Sequence, residues 1–218
     1  MSKEMKMRGI IGVAIMFLCV VAAACSDPAA DKPKAAVAGA AEEAGRAKPA
    51  GSETLTISPD NSKIGFVGSK VTGSHTGSFP AFSGTVDLVP GQVESSQVKV
   101  EIDMASVVSD DERLTGHLKS PDFFDVAKFP KATFVTTEIR QGGAGGATHT
   151  VTGNLELHGV KKSITFPATV AVTNEAASLN SEFAINRKDF SILYPGKPDD
   201  LIRDEVVIKL SINAPRKS

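Results

Sequence analysis

Ile164-Thr165-Phe166-Pro167-Ala168-Thr169-Val170-Ala171-Val172 places Ile164, Phe166, Ala168, Val170 and Val172 on every second position. A helix would scatter these side chains around its circumference. In an extended chain they share one face, so the stretch reads as a strand with one dry side and one wet side. The same period runs outward in both directions. Upstream, Val151, Leu155 and Leu157 share a face with Gly153, opposed by Thr152, Asn154 and Glu156, and Val98, Val100 and Ile102 alternate with Lys99, Glu101 and Asp103. Downstream come Leu179, Phe183 and Ile185, then Val206, Ile208, Leu210 and Ile212. With extended segments near residues 64–71, 82–88 and 132–139, the chain offers eight strands, and the alternation is that of antiparallel sheets. Pro90-Gly91, the glycine-rich run 142–146 and His158-Gly159 fall between strands, where turns belong.

One helical passage interrupts the series. Asp110 or Asp111 is placed to cap a helix carrying Leu114 and Leu118 on one side, four residues apart. Ser120-Pro121 then starts a second helical turn leading into Phe123-Phe124, and Pro130 ends it. Eight antiparallel strands with one helical insertion and no parallel crossover make a closed barrel or a sandwich. Periodicity leaves that choice open. A barrel of eight strands has no exposed edge and an interior wide enough for one small ligand.

The net charge of -1 and the lack of a Lys/Arg stripe give no sign of a nucleic-acid partner. At the N-terminus, Lys3, Lys6 and Arg8 precede an apolar stretch from Gly9 to Val21, as in an export signal. The apolar run to Ala24 is 16 residues, short of the ~20 that span a bilayer. It ends Val21-Ala22-Ala23-Ala24-Cys25, similar to a bacterial lipobox, in which Cys25 becomes the lipidated first residue of the mature protein. Ordinary cleavage at an Ala-x-Ala site, leaving Cys25 incidental, is the alternative. Ser26, where inner-membrane lipoproteins carry Asp, resembles the sorting pattern for the outer membrane. Residues 1–24 are thus expected as a signal peptide and 25–52, rich in Ala, Pro, Gly and charge, as a flexible tether, with a weak helix around 35–47 the other option. The folded domain is expected over 53–216. Past Cys25 there is no cysteine, so the domain has no disulfide and no cysteine-based metal site or nucleophile.

Five elements in order resemble the YceI family of lipocalin-like, polyisoprenoid-binding periplasmic proteins. They are Ile64 to His75 continuing into Phe79-Pro80-Ala81-Phe82-Ser83-Gly84, the His117-Leu118 and Asp122-Phe123-Phe124-Asp125 block with Phe129-Pro130, Gly153-Asn154-Leu155-Glu156-Leu157-His158-Gly159, and Arg187-Lys188-Asp189-Phe190. The likeness covers about 53–214. Ser191 stands where that family often has glycine, and the loop 194–198 is particular to this chain. The resemblance implies an antiparallel barrel with an apolar tunnel for an isoprenoid quinone or polyprenyl phosphate, held as cargo rather than as a cofactor, in a protein that is not an enzyme.

Within that reading Phe66, Phe82, Phe124, Phe134 and Phe183 are the expected tunnel aromatics, set against plain core packing. Arg187 shares the parity of Phe183 and Ile185 and therefore points inward, where a cation needs a partner. It is read either as a structural ion pair with Asp189 or Asp125 or as a head-group contact. His75 and His117 are further head-group candidates. The four histidines have no metal-ligand spacing, so neither a metal site nor a catalytic residue is expected. Asp110, Asp111 and Glu112 read as a helix cap and dipole complement. The expected protein is a lipid-anchored, periplasm-facing envelope protein, placed at the outer membrane by the resemblance of Ser26 to that sorting pattern. An enzyme with a small hydrophobic substrate in the cavity, and a solidly packed structural or stress-related barrel, are the alternatives.

Overall fold

The eight alternating stretches all form strands, joined by shorter ones that the pattern does not announce. The computed structural model describes residues 27–42 and 47–216. In chain order the elements are β1 (Ala36–Gly39), β2 (Glu53–Ile57), β3 (Lys63–Lys70), β4 (Gly73–Ser78), β5 (Phe82–Leu88), β6 (Gln97–Asp103), β7 (Val108–Ser109), α1 (Glu112–Leu118), β8 (Lys131–Gln141), β9 (His149–Leu157), β10 (Val160–Val172), β11 (Ala176–Asn186), β12 (Gly196–Lys197), β13 (Asp200–Leu201) and β14 (Glu205–Pro215). One antiparallel sheet runs β2-β5-β6-β8-β9-β10-β11-β14-β3-β4-β7 and curls into a lipocalin-like barrel. The strand count therefore exceeds the expected eight. β4 was not legible because Gly73-Ser74-His75-Thr76-Gly77-Ser78 contains no apolar stripe, and β2 is only five residues long.

Among the described residues no ladder joins the two ends of the sheet. β2 is hydrogen-bonded to β5 alone and faces β14 across a seam. The Ser62 hydroxyl accepts from Asn213 N (3.0 Å) and donates to Asn213 O (3.1 Å), and Arg216 Nη2 lies 2.7 Å from Glu53 Oε1. The first pair continues the β3–β14 register, and the second bridges the start of β2 to the end of β14 across the seam.

The sequence parities hold. Val98, Val100 and Ile102, then Val151, Leu155 and Leu157, then Ile164, Phe166, Val170 and Val172 all face the barrel interior, as do Leu179, Phe183 and Ile185 and, from β14, Val206, Ile208, Leu210 and Ile212. β8 departs from strict alternation. The β8–β9 register slips between Thr136 and Glu138, so the inward set runs Ala132, Phe134, Thr136 and then Ile139. This is the extra residue of a β-bulge. Buried Thr136 is satisfied there, its Oγ1 accepting from Val98 N at 2.8 Å.

Asp111 caps α1, its carboxylate accepting from Leu114 N at 2.8 Å. Leu118 is buried and Leu114 packs beside it. The second helical turn expected after Pro121 is not formed. Residues 119–128 make successive hydrogen-bonded turns, with Asp125 at φ 44° breaking any helical run. Ser191 also adopts a left-handed backbone, φ 59°, a conformation that glycine takes at no steric cost.

The N-terminal segment corrects the tether expectation. Over residues 27–41 it lies on the barrel as a strap, and residues 36–39 are strand, not helix. β10 and β11 are hydrogen-bonded to each other only over 169–172 and 177–180. Where they part, β1 pairs antiparallel with residues 162–165 of β10. On its other side Ala35 N donates to Ala184 O, and Ala184 N to Pro33 O, each at 2.8 Å. The strap thus fills a gap in the wall. Its small side chains are what fit: Ala29 is 2% exposed against Val67, Ala184 and Val207, and Asn154 exchanges two hydrogen bonds with the backbone of Ala41. The signal peptide and Cys25 lie outside the described residues.

Candidate functional site

The barrel encloses an apolar lumen with a cavity volume of about 270 Å³. Two buried clusters border it and meet at Leu157, Ile208 and Leu210, which touch both. In the first, Phe66, Phe79 and Phe124 form a triangle of rings with centroids 5.6, 6.4 and 5.8 Å apart. In the second, Phe166 stacks on Phe183 at 4.2 Å and leans on Phe134 at 5.9 Å.

Two glycines keep these rings out of the way. A Cβ at Gly77 of β4 would sit 2.2 Å from Cζ of Phe66, and one at Gly153 of β9 would sit 2.4 Å from Cζ of Phe134. Both separations are far inside van der Waals contact. Because neither Cβ exists, each ring lies flat against the neighbouring strand and leaves the lumen open.

Of the expected tunnel residues, Phe66, Phe124, Phe134, Phe183 and Arg187 all line this lumen. Phe82 does not. It is buried in the first cluster, beside a more open hollow shared with Pro59, Phe79 and Pro80. His75 and His117 are also elsewhere. His75 Nδ1 lies 2.8 Å from Asp110 Oδ1, and the half-exposed ring is not among the lumen-lining residues. The Thr76 amide and then His75 hold the Asp110 carboxyl below its usual range. His117 Nε2 lies 2.8 Å from Asp122, and its ring packs edge-on against Phe123 and Tyr194 at 4.9 and 5.0 Å. It therefore clamps the segment after α1 to the loop after β11.

Arg187 is the only ionisable lining residue among those described, and it is 4% exposed. Its partner is neither Asp189 nor Asp125. Nη1 donates to Ile192 O (2.7 Å), Nε to Arg203 O (3.2 Å), and Nη2 to Ile202 O (3.5 Å) and to Asp204 Oδ1 (3.3 Å). Burial pushes the guanidinium pKa down, and Asp204 opposes that. The side chain thus braces the loop between β11 and β14 from inside, spending four donors of a group that has five.

The residues that the pattern missed are mainly in that loop. Ile192 and Ile202 line the lumen beside Arg187, but they lie outside any regular stripe. Phe79 and Phe166 were visible as aromatics without a reason to rank them above core. Among the described residues, no group of three His, Cys, Asp or Glu could hold a metal ion.

A family profile described as a YceI-like domain matches residues 55–214. UPF0312 proteins of Pseudomonas putida (strain W619) and Pseudomonas fluorescens (strain SBW25) are each 36% identical over 126 residues, spanning 55% of this chain. The match spans 65% of the length of those relatives. Among solved structures, Burkholderia cenocepacia BcnA is 28% identical with a TM-score of 0.62, over 72% of this chain and 99% of that one. A polyisoprenoid binding domain from Saccharophagus degradans, implicated in plant cell wall breakdown, shares the fold at a TM-score of 0.59 and 18% identity, over 76% of this chain and 100% of that one.

Proposed function

The chain belongs to the YceI-like domain family, and on that premise we propose that it binds one long-chain isoprenoid amphiphile, a quinone or polyprenyl phosphate, inside the barrel and carries it within the cell envelope. The observation that supports this reading most is the lumen itself: an apolar tunnel wall with a single ionisable group, Arg187. A prenyl chain asks for no more. Each buried methylene contributes ~0.8 kcal/mol, so about twenty enclosed carbons give roughly 16 kcal/mol gross, from which ordering costs are subtracted. Length and cross-section would select the ligand, with the fifth Arg187 donor available to a carbonyl or phosphate oxygen. The same wall gives a bound substrate no proton-transfer partner, which favours a binding protein over an enzyme. The polyisoprenoid-binding neighbour shares this fold. Cys25 is proposed as the lipidated residue that keeps the barrel periplasm-facing at the outer membrane.

Leu210, at the junction of the two clusters, is the place to block the tunnel. The full chain is offered a polyprenyl phosphate and a quinone of about forty carbons, then separated from free lipid by gel filtration. Wild type is expected to retain one molecule per chain. Leu210→Trp is expected to retain none while still unfolding cooperatively, its urea midpoint lowered by an overpacking cost of no more than ~1–3 kcal/mol. Equal retention by both proteins, or none by either, would contradict the proposal.

A further inference from the structure

Four large apolar side chains are well exposed among the described residues: Val71, Val108, Leu193 and Leu201. Single exposed apolar residues are ordinary, but three of these share one end of the barrel. Val71, at the tip of the β3–β4 hairpin, donates its amide to Leu201 O at 3.2 Å. Leu201 pairs with Gly196, and Ile202 N donates to Pro195 O at 2.9 Å, so the chain around Leu193 folds back beside Leu201. Both leucines adjoin cavity residues. Ile192 and Ile202 point into the lumen while Leu193 and Leu201, one residue away, point to solvent at 61% and 49% exposure. The loop at this rim therefore turns one apolar residue of each pair inward and the other to solvent.

The N-terminal strap ends at the same place. Asp27 pairs with Arg203 at 3.5 Å, and Arg203 N donates to Ser69 O at 2.8 Å, next to Lys70 and Val71. Ala29 is buried on the adjoining outer faces of β3, β11 and β14. Cys25 lies two residues before Asp27, a span of at most ~7 Å. A lipid on Cys25, if the proposed acylation holds, would be tethered by this short span to the end of the barrel that carries Val71 and Leu201.

We propose that the rim carrying Val71, Leu193 and Leu201 is the face the barrel lays on a phospholipid bilayer. The occupant is a lipid surface of no particular charge. Lys70 is paired with Asp200 (2.5 Å), Lys188 with Asp204 (2.9 Å) and Arg203 with Asp27, so the rim presents no net cationic field. The docking stands on the exposed residues and the strap. The part played by the strap rests on the lipidation of Cys25 proposed above.

The chain contains no tryptophan, so a single introduced one is a clean reporter. Leu193→Trp and Leu201→Trp place it on the rim, and Thr173→Trp places it on the β10–β11 turn at the opposite end. Each full chain is purified from the envelope with its native N-terminus and reconstituted into phosphatidylcholine vesicles, with and without phosphatidylglycerol and with brominated acyl chains as quenchers. Expected are a blue shift and strong quenching at 193 and 201, little at 173, and no dependence on phosphatidylglycerol or salt. No quenching at 193 and 201, or equal quenching at 173, overturns the proposal. Because the readout is independent of what the tunnel holds, failure of docking and failure of cargo binding remain separate results.

Discussion

Replacing Arg187 by methionine separates bracing from head-group binding. Methionine is unbranched and fits the same apolar channel, so volume is nearly conserved. What disappears is the set of donors. Ile192 O, accepting at 2.7 Å, and Arg203 O, accepting at 3.2 Å, lose a charged partner in a site that is 4% exposed. Hydrogen bonds to a charged group contribute ~1.5–3 kcal/mol each, so these two bound the loss at ~3–6 kcal/mol. The 3.5 Å bond to Ile202 O adds little. Asp204 is left exposed enough to regain water, and removing a buried cation returns part of its desolvation cost. The net loss is then about 3–4 kcal/mol, or ~6–16 °C in Tm for a domain of this size. Urea unfolding followed by circular dichroism should show a lower midpoint at an unchanged slope. If Arg187→Met unfolds within ~0.5 kcal/mol of wild type yet loses cargo, the bracing argument is wrong and the residue is a head-group contact.

Two further outcomes follow from particular contacts. The three atoms nearest a Cβ at Gly77 all belong to the Phe66 ring, so Gly77→Ala should push the ring into the lumen and shorten the longest prenyl chain retained, at a stability cost of ~1–3 kcal/mol; Phe66→Leu in the same chain should restore capacity, measured by binding a length series. The strap should loosen in acid. Lys32 donates to the Glu182 carboxylate and, with Lys209, holds its pKa below the ordinary 4.5. A depressed carboxylate contributes stability that is complete above the unfolded value and is lost as pH falls through the native one. Hydrogen exchange at the Ala35 amide should therefore lose protection in acid ahead of β14, and Glu182→Gln should remove that pH dependence; protection that stays flat would contradict the assignment.

The barrel wall was legible because its signal is local. Each inward stripe, from Val98-Val100-Ile102 to Val206-Ile208-Leu210-Ile212, is read from spacing alone, and the same parity put Arg187 inside. The rest depends on pairing between distant segments. Nothing near Thr137 announces a bulge, which exists only relative to β9. Ala35 and Val37 look like linker because their burial is supplied by a gap between β10 and β11 that no local pattern encodes. His75 and His117 were drawn into the site by residue type, whereas their carboxylate partners Asp110 and Asp122 hold them outside. Phe82 has the right chemistry but packs beside the hollow at Pro59 and Pro80, away from the lumen, a placement that depends on how distant strands pack. The packed-barrel alternative expected no cavity, and the lumen is present.

The central claim is that the lumen holds a prenyl chain. The exported chain should be purified from a bacterial envelope without added lipid, then analysed by native mass spectrometry with organic extraction of the same sample. One adduct of several hundred daltons per chain, recovered as an isoprenoid, is the predicted result. A clean apo mass that stays apo when quinones and polyprenyl phosphates are supplied would contradict it.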